Sequence, residues 1–271
     1  MSAHNDNYRS GEGVGVPRIV RHLDLFSGIG GFALAAQMVG GVETIGFCEI
    51  DPWARKVLAK NFPGVPCHDD VKTLEPKNYG RIDLITGGFP CQPFSHAGKR
   101  GGKEDDRHLW PEMLRIINES RPRWVLGENV PGIVSMALDN LLSDLGAIDY
   151  EPRTLIVQAC ALDAPHIRER VYIVAHSMRG RESLGRDMGG TWREQELDEE
   201  QPPWEEASES PILGDDARLP KRLHRPRCKA LGNSIVPQVA AKILHCMMKA
   251  DSLASQRNGE ETMNNEQINA K

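Results

Sequence analysis

Cys91 lies between two prolines in Gly87-Gly88-Phe89-Pro90-Cys91-Gln92-Pro93-Phe94-Ser95, directly after the β-rich run Ile82–Gly87. A core cysteine is a small inert hydrophobe, whereas a thiol on a proline-constrained loop at a strand end is placed to react. A second reactive group follows the next β-rich run, where Trp124–Gly127 leads into Glu128-Asn129-Val130-Pro131. In an open α/β sheet ligands bind beyond the carboxyl ends of the strands, so Cys91 and Glu128 should face one crevice. A thiolate paired with a carboxylic acid suits an electron-rich heterocycle. The thiolate adds to a ring carbon, the acid supports a ring nitrogen, and the adjacent carbon becomes enamine-like and nucleophilic.

The first β-rich run points to a nucleotide-like cofactor. Asp24-Leu25-Phe26-Ser27-Gly28-Ile29-Gly30-Gly31-Phe32 passes from a strand through a glycine turn into a helix. Glycines there let the backbone approach a ligand, and the helix start offers free N–H groups. The spacing is not G-x-G-x-x-G, and such turns also serve plain helix–sheet packing. Glu49, some 20 positions further on at the end of the second run, can accept from ribose hydroxyls, or be a surface acid at a strand end. Asp70 can accept from an amino group on a base, or cap a turn. No P-loop is present, so an adenosine without a triphosphate fits better than ATP.

The elements that must position these groups alternate. β-rich runs at Ile19–Phe26, Val42–Glu49, Ile82–Gly87, Trp124–Gly127, Thr154–Ala159 and Val171–Ala175 are separated by helical patterns at Phe32–Val39, Pro52–Asn61, Leu109–Glu119 and Val134–Leu145. This is the α/β pattern. Val236–Met248 puts Val236, Val239, Ala240, Ile243, Leu244 and Met247 on one face of a last helix, with Pro237 suited to its first turn. The stretch from His176 to about Ala217 is acidic and shows little periodicity, so it reads as a small irregular lobe or a partly disordered insertion. The division predicted is a tail at 1–17, a catalytic α/β domain at 18–175, the lobe at 176–227, a returning segment at 228–250 and a tail at 251–271.

The chain has 271 residues, 39% of them hydrophobic, which suffices for one substantial domain with an appendage. No stretch approaches the length of a membrane span and the first 17 residues lack a signal-peptide pattern, which favours a cytoplasmic protein. The six cysteines are scattered without a C-x-x-C pair, so reduced thiols are expected, with neither a disulfide frame nor a metal site. The net charge of −5 conceals a basic stretch from Arg218 to Lys229 that can meet phosphates or simply be a solvated loop.

Five segments in this order resemble the motifs of the DNA (cytosine-5) methyltransferases: DLFSGIGG at Asp24–Gly31, GGFPCQPFS at Gly87–Ser95, ENV at Glu128–Val130, RER at Arg168–Arg170 and LGNSIVP at Leu231–Pro237. The resemblance implies a Rossmann-like S-adenosylmethionine-dependent methyltransferase sheet with a small recognition lobe. It implies that Phe26, Ser27, Gly28, Gly30 and Gly31 hold S-adenosylmethionine, with Glu49 on the ribose and Asp70 on the adenine. Cys91 would attack C6 of a cytosine flipped out of duplex DNA, and Glu128 would bond its N3 and amino group. Arg168 would help hold the cytosine and support catalysis. Asn129, Arg170 and Asn233 would support the site: Asn129 ordering the nearby loop, Arg170 stabilising the site's structure, Asn233 bracing the lobe and cofactor pocket. The segment Ser95–Arg107 would close over the DNA.

Two departures stand out. His166 replaces the family's usual Gln two positions before Arg168, and the lobe is shorter than usual. A short lobe implies a short site or weak discrimination, with double-stranded DNA held mainly by Ser95, Lys99, Arg100, Lys221, Arg222, Arg225 and Arg227. The reaction needs one active site, so a monomer is expected; a cognate restriction endonuclease would be a partner in function rather than a physical one, and a phage protein shielding its own DNA fits equally. The same family has a tRNA-acting branch, but Phe94-Ser95 resembles the DNA-acting members. A degenerate binder without turnover would not need Cys91, Glu128 and Arg168 together, and an NAD-dependent oxidoreductase would leave the Pro-Cys-Gln loop unexplained.

Overall fold

The structure, a computed structural model, describes residues 19–90, 109–162, 164–179 and 230–251. Seven strands form one sheet: β1 (Val20–Leu25), β2 (Val42–Cys48), β3 (Cys67–His68), β4 (Leu84–Gly87), β5 (Trp124–Asn129), β6 (Tyr150–Gln158) and β7 (Glu169–Ser177), in the spatial order β3-β2-β1-β4-β5-β7-β6. β1 pairs in parallel with β2 and β4, and β4 with β5, whereas β7 runs antiparallel to both β5 and β6. The chain winds outward from β1 in one direction and resumes at β4 in the other. The crevice at the carboxyl ends of β1 and β4 is therefore the topological switch point of a Rossmann-like α/β fold.

Helices cover both faces. On one side lie α3 (Trp110–Ser120), α4 (Ile133–Met136) and α5 (Leu138–Ala147). Trp110, Met113, Ile116 and Ile117 of α3 recur at helical spacing, and together with Leu141 and Leu145 they bury Leu23, Leu25, Ile85 and Val125 of the sheet. The other side carries α1 (Gly31–Val39), α2 (Pro52–Asn61) and a last helix, α6, at residues 237–251. Here Val239, Ala240, Ile243, Leu244 and Met247 pack with Phe32 and Ala35 over Leu84, Leu126 and Tyr172. α6 begins at Pro237, as its sequence requires, and Asp251 at its end accepts from Trp124 Nε1 at 3.0 Å, tying it to the start of β5.

Most elements match the sequence reading within two residues, and the larger differences have local causes. The helix expected over Val134–Leu145 is two, interrupted at Ala137, whose φ of −153° and ψ of −5° are not helical. β5 runs two residues past Gly127, because Glu128 and Asn129 continue the ladder with Tyr172 and Val171. β6 starts four residues earlier than expected and ends one residue sooner; it tolerates Pro152 because it is an edge strand. The predicted lobe, both tails and the loop Ser95–Arg107 lie outside the described residues, apart from the first positions of the lobe and Asp251. Among the described residues no helix is long and apolar enough to cross a membrane.

Candidate active site

The glycine turn after β1 is built for a tight reversal of the chain. Phe26 adopts a left-handed φ of 53°, and Gly28 and Gly30 follow at 54° and 90°. Phe26 pays strain for a conformation that aims the following peptides away from the sheet. A side chain on Gly30 would come within 2.5 Å of the Phe62 ring, and one on Gly31 within 2.5 Å of Ile235, whereas the space over Gly28 is open. Ser27 is buried and ties the ends of β1 and β2: its hydroxyl donates to Asp24 O at 2.6 Å and accepts from Cys48 N–H at 3.2 Å.

Glu49, at the end of β2, clasps this turn. Its Oε2 accepts from Gly28 N–H at 2.7 Å and its Oε1 from Asp51 N–H at 2.7 Å. Each carboxylate oxygen retains a lone pair for a further donor, so the clasp is compatible with a ribose diol. Asp70 accepts from Lys72 N–H at 2.9 Å, which is the turn-forming arrangement, with the residue on the surface. Ile50, which the motifs did not single out, is 72% exposed beside Glu49 and gives the crevice an apolar rim. Open space over Gly28, a carboxylate with free lone pairs and an apolar rim fit an adenosine-bearing cofactor. Among the described residues no group of three or more His, Cys, Asp or Glu side chains could hold a metal ion.

The second half of the crevice lies at the ends of β4 and β5. Glu128 is buried, and its Oε1 lies 2.9 Å from Arg170 Nε. Burial pushes the Glu128 carboxyl up, and the charges of Arg170 and Arg168 oppose that shift without cancelling it. A carboxyl held in this way can carry a proton more readily than an exposed glutamate. Gly88 leaves its other oxygen room: a Cβ there would stand 3.2 Å from Glu128 Oε2.

The two arginines have different partners: Arg170 pairs with Glu128, whereas Arg168, expected at the reacting base, is bonded to the 232–234 segment. The antiparallel register sets Glu128 opposite Tyr172, so Arg170, two residues before Tyr172, shares a face with Glu128 and reaches it. Arg168 precedes β7 and its Nη2 donates instead to Gly232 O at 3.0 Å and to Ser234 O. Asn233 itself is exposed, and the carbonyls on either side of it make the brace. His166 is exposed on the loop leading to Arg168.

The root of the Cys91 loop is pinned at Phe89. Asn129 Nδ2 donates to Phe89 O at 3.0 Å while its Oδ1 accepts from Val130 N–H at 2.9 Å. The Phe89 ring packs 5.2 Å from that of Trp110, whose indole N–H donates to Asp144 at 2.9 Å. Cys91 itself, Ser95, Lys99, Arg100, Lys221, Arg222, Arg225 and Arg227 lie outside the described residues.

Beneath the crevice runs a buried polar chain that the sequence reading did not find. Thr86 Oγ1 donates to Asp24 Oδ1 at 2.8 Å; His22 Nε2 lies 2.8 Å from Thr86 Oγ1, and His22 Nδ1 lies 2.9 Å from Thr44 Oγ1. With the Thr86 proton spent on Asp24, Thr86 must accept from His22 Nε2–H, which leaves Nδ1 to accept from Thr44. Every donor points toward Asp24, whose Oδ2 is buried and has no partner among the described residues. Burial pushes the Asp24 carboxyl up to about 8 and the His22 imidazole down to about 3, so at neutral pH the chain holds no net charge.

Residues 20–222 match the family model of the C-5 cytosine-specific DNA methylases. The chain is 39% identical over 157 residues to the type II methyltransferase M1.ScrFI of Lactococcus lactis subsp. cremoris, covering 56% of this chain and 40% of that protein. It is also 39% identical over 163 residues to the type II methyltransferase M.HpaII of Haemophilus parainfluenzae, covering 56% of this chain and 44% of the relative. The chain thus spans less than half the length of these relatives. Among solved structures it resembles a putative DNA modification methyltransferase encoded within an E. coli prophage, with a TM-score of 0.51, 32% identity, and coverage of 61% of this chain and 47% of that one. A Spodoptera frugiperda DNMT2 mutant superposes with a TM-score of 0.52 at 26% identity, over 66% of this chain and 54% of that chain.

Proposed function

The chain belongs to the C-5 cytosine-specific DNA methylase family, and from that premise we propose that it transfers a methyl group from S-adenosylmethionine to C5 of a cytosine flipped out of double-stranded DNA. The observation that carries this reading is the buried Glu128–Arg170 pair, one strand away from the pinned Phe89-Pro90 segment that leads into Cys91. S-adenosylmethionine supplies the methyl group. The chain's own groups prepare the cytosine and release the product.

The Cys91 thiolate adds to C6, forming an S–C bond, while Glu128 shares a proton with N3 and accepts from the exocyclic amino group. C5 thereby gains the electron density it needs to act as a nucleophile. Once C5 is methylated it gives up its proton to a base, the C5–C6 double bond re-forms and the Cys91 thiolate leaves. Arg170 orients Glu128 and lies on the same face, where it can also meet the O2 carbonyl of the base. Glu49 and the Phe26–Gly31 turn hold the adenosine, with Ile50 and Asp70 beside the adenine.

Duplex DNA is gripped mainly through Ser95, Lys99, Arg100, Lys221, Arg222, Arg225 and Arg227, with a short target site or weak discrimination between sequences. The protein acts as a monomer in the cytoplasm, alongside a restriction endonuclease or as protection for phage DNA. Incubation with unmethylated duplex and S-adenosylmethionine, followed by bisulfite sequencing, tests the reading. Protected cytosines that vanish with Cys91→Ala support it and reveal the target site. A folded wild-type protein that binds S-adenosylmethionine yet protects no cytosine in duplex DNA overturns it, and the same assay on tRNA would then identify an RNA substrate.

A further inference from the structure

Arg168 stands between the two halves of the crevice, bonded to one and two residues from Arg170 in the other. On one side, a single guanidinium nitrogen donates to the carbonyls of Gly232 and Ser234, residues more than 60 positions later in the chain. The segment it holds is part of the cofactor side. Ile235 packs against Gly31 so tightly that no Cβ fits between them, and Ser234 and Pro237 line a cavity of about 260 Å³ with Gly30, Gly31 and Phe62.

On the other side, Arg168 is two residues from Arg170 and feels the charges of both Arg170 and Glu128. Two neighbouring guanidinium groups repel each other, and Glu128 is already committed to Arg170. The carbonyls of Gly232 and Ser234 supply the negative dipoles that Arg168 lacks from a carboxylate. Without them, Arg168 would compete with Arg170 for Glu128.

We propose that Arg168 is a positioning residue that couples the cofactor side of the crevice to the base side, by holding the 232–235 segment against the glycine turn and so keeping the Glu128–Arg170 pair intact. The proposal rests on the methyltransferase reading above. It requires an arginine, because a lysine ammonium keeps the charge but not the planar fork that sets its geometry against Arg170. If Arg168 carries the coupling, a change at Glu128 alters cofactor affinity only while Arg168 is in place.

The test is a double-mutant cycle read by calorimetric binding of S-adenosylmethionine to the full-length chain without DNA. The variants are Glu128→Gln, Arg168→Lys and their combination. In the wild-type background Glu128→Gln is expected to change the Kd about fivefold or more, the usual scale of coupling between sites. In the Arg168→Lys background the same change should have no effect. With DNA present, Arg168→Lys should raise KM for S-adenosylmethionine and lower kcat while leaving KM for DNA unchanged, a split that a general loss of folding does not produce.

Effects that simply multiply, or an unchanged Kd in Arg168→Lys, overturn the coupling. If Arg168→Lys does not fold, Ile235→Ala breaks the same link from the cofactor side without touching a charge. It must then abolish the effect of Glu128→Gln, and failure to do so overturns the coupling equally. A wild-type protein that neither binds S-adenosylmethionine nor methylates DNA overturns the functional reading, and the coupling with it. Binding and methylation with multiplicative effects overturn the coupling alone.

Discussion

Arg170 Nε and Glu128 Oε1 stand 2.9 Å apart in a pair whose side chains are 16% and 9% exposed. A pair this buried is costly to break from one side, because the remaining charge has no water to turn to. Arg170→Ala is therefore expected to destabilise the protein by about 3–5 kcal/mol, visible as a large fall in Tm. Glu128→Gln preserves volume and one acceptor, so it should stay folded while losing roughly 10²–10⁴ in kcat. Melting curves beside methyl-incorporation rates check both, and a wild-type rate in Glu128→Gln would contradict the assigned role.

Gly31→Ala would drive a methyl group to 2.5 Å from Ile235 Cγ1. Overpacking of this kind costs about 1–3 kcal/mol, and here the strain falls on the glycine turn. Cofactor affinity should drop with stability, and Ile235→Ala in the same chain should recover much of the stability. Chemical denaturation of the two single variants and the double variant measures the recovery.

The buried chain from Thr44 to Asp24 sets a pH dependence whose sign can be worked out. Asp24 keeps its proton in the folded state up to about pH 8, against an ordinary value of 3.8, so between these values the native state binds a proton that the unfolded state lacks. Stability contributed by Asp24 falls as pH rises across that window. His22 acts in the opposite sense: its folded value of about 3 lies below the ordinary 6.5, so its contribution rises with pH between those values. The two oppose each other up to pH 6.5. Above it Asp24 acts alone, and stability should decline by about 2 kcal/mol by pH 8. Asp24→Asn imitates the protonated side chain and should flatten that decline in urea titrations at pH 6.5, 7.2 and 8.

If the basic segment after the lobe grips phosphates, log Kd for duplex DNA must rise linearly with log salt. Arg222→Ala or Arg225→Ala should each weaken binding of all sequences alike and reduce the slope by about one. An unchanged slope would relieve these residues of that role.

Residue type and strand-end position were enough to place Glu49, Glu128 and the glycine turn at the carboxyl ends of the strands, because an acid or a glycine run after an apolar strand carries its position locally. The separate partners of Arg168 and Arg170 were not legible. They depend on the antiparallel register that sets Glu128 opposite Tyr172, and nothing near either arginine encodes that register. The polar chain under the crevice was hidden for a similar reason: His22 and Thr86 are 64 positions apart and meet only because β1 and β4 align in parallel. A signal did exist, since His22 and Asp24 are spaced by two in β1 and Thr86 stands alone as the polar side chain of β4. The bonds by which the Ser27 hydroxyl fastens two strand ends together were likewise invisible without the neighbouring strand.

The last helix has a consequence in time as well as in space. α6 covers Leu84, Leu126 and Tyr172, yet every residue of that cover is made after the whole sheet has been translated. A nascent chain that has made all seven strands therefore has that oily face covered only in part, by α1 and α2, and the 232–235 segment that meets Gly31 and Arg168 follows every strand. Domains fold as units during synthesis. This one stays sticky on the ribosome until α6 has emerged, so the crevice is the last part of the described fold to assemble.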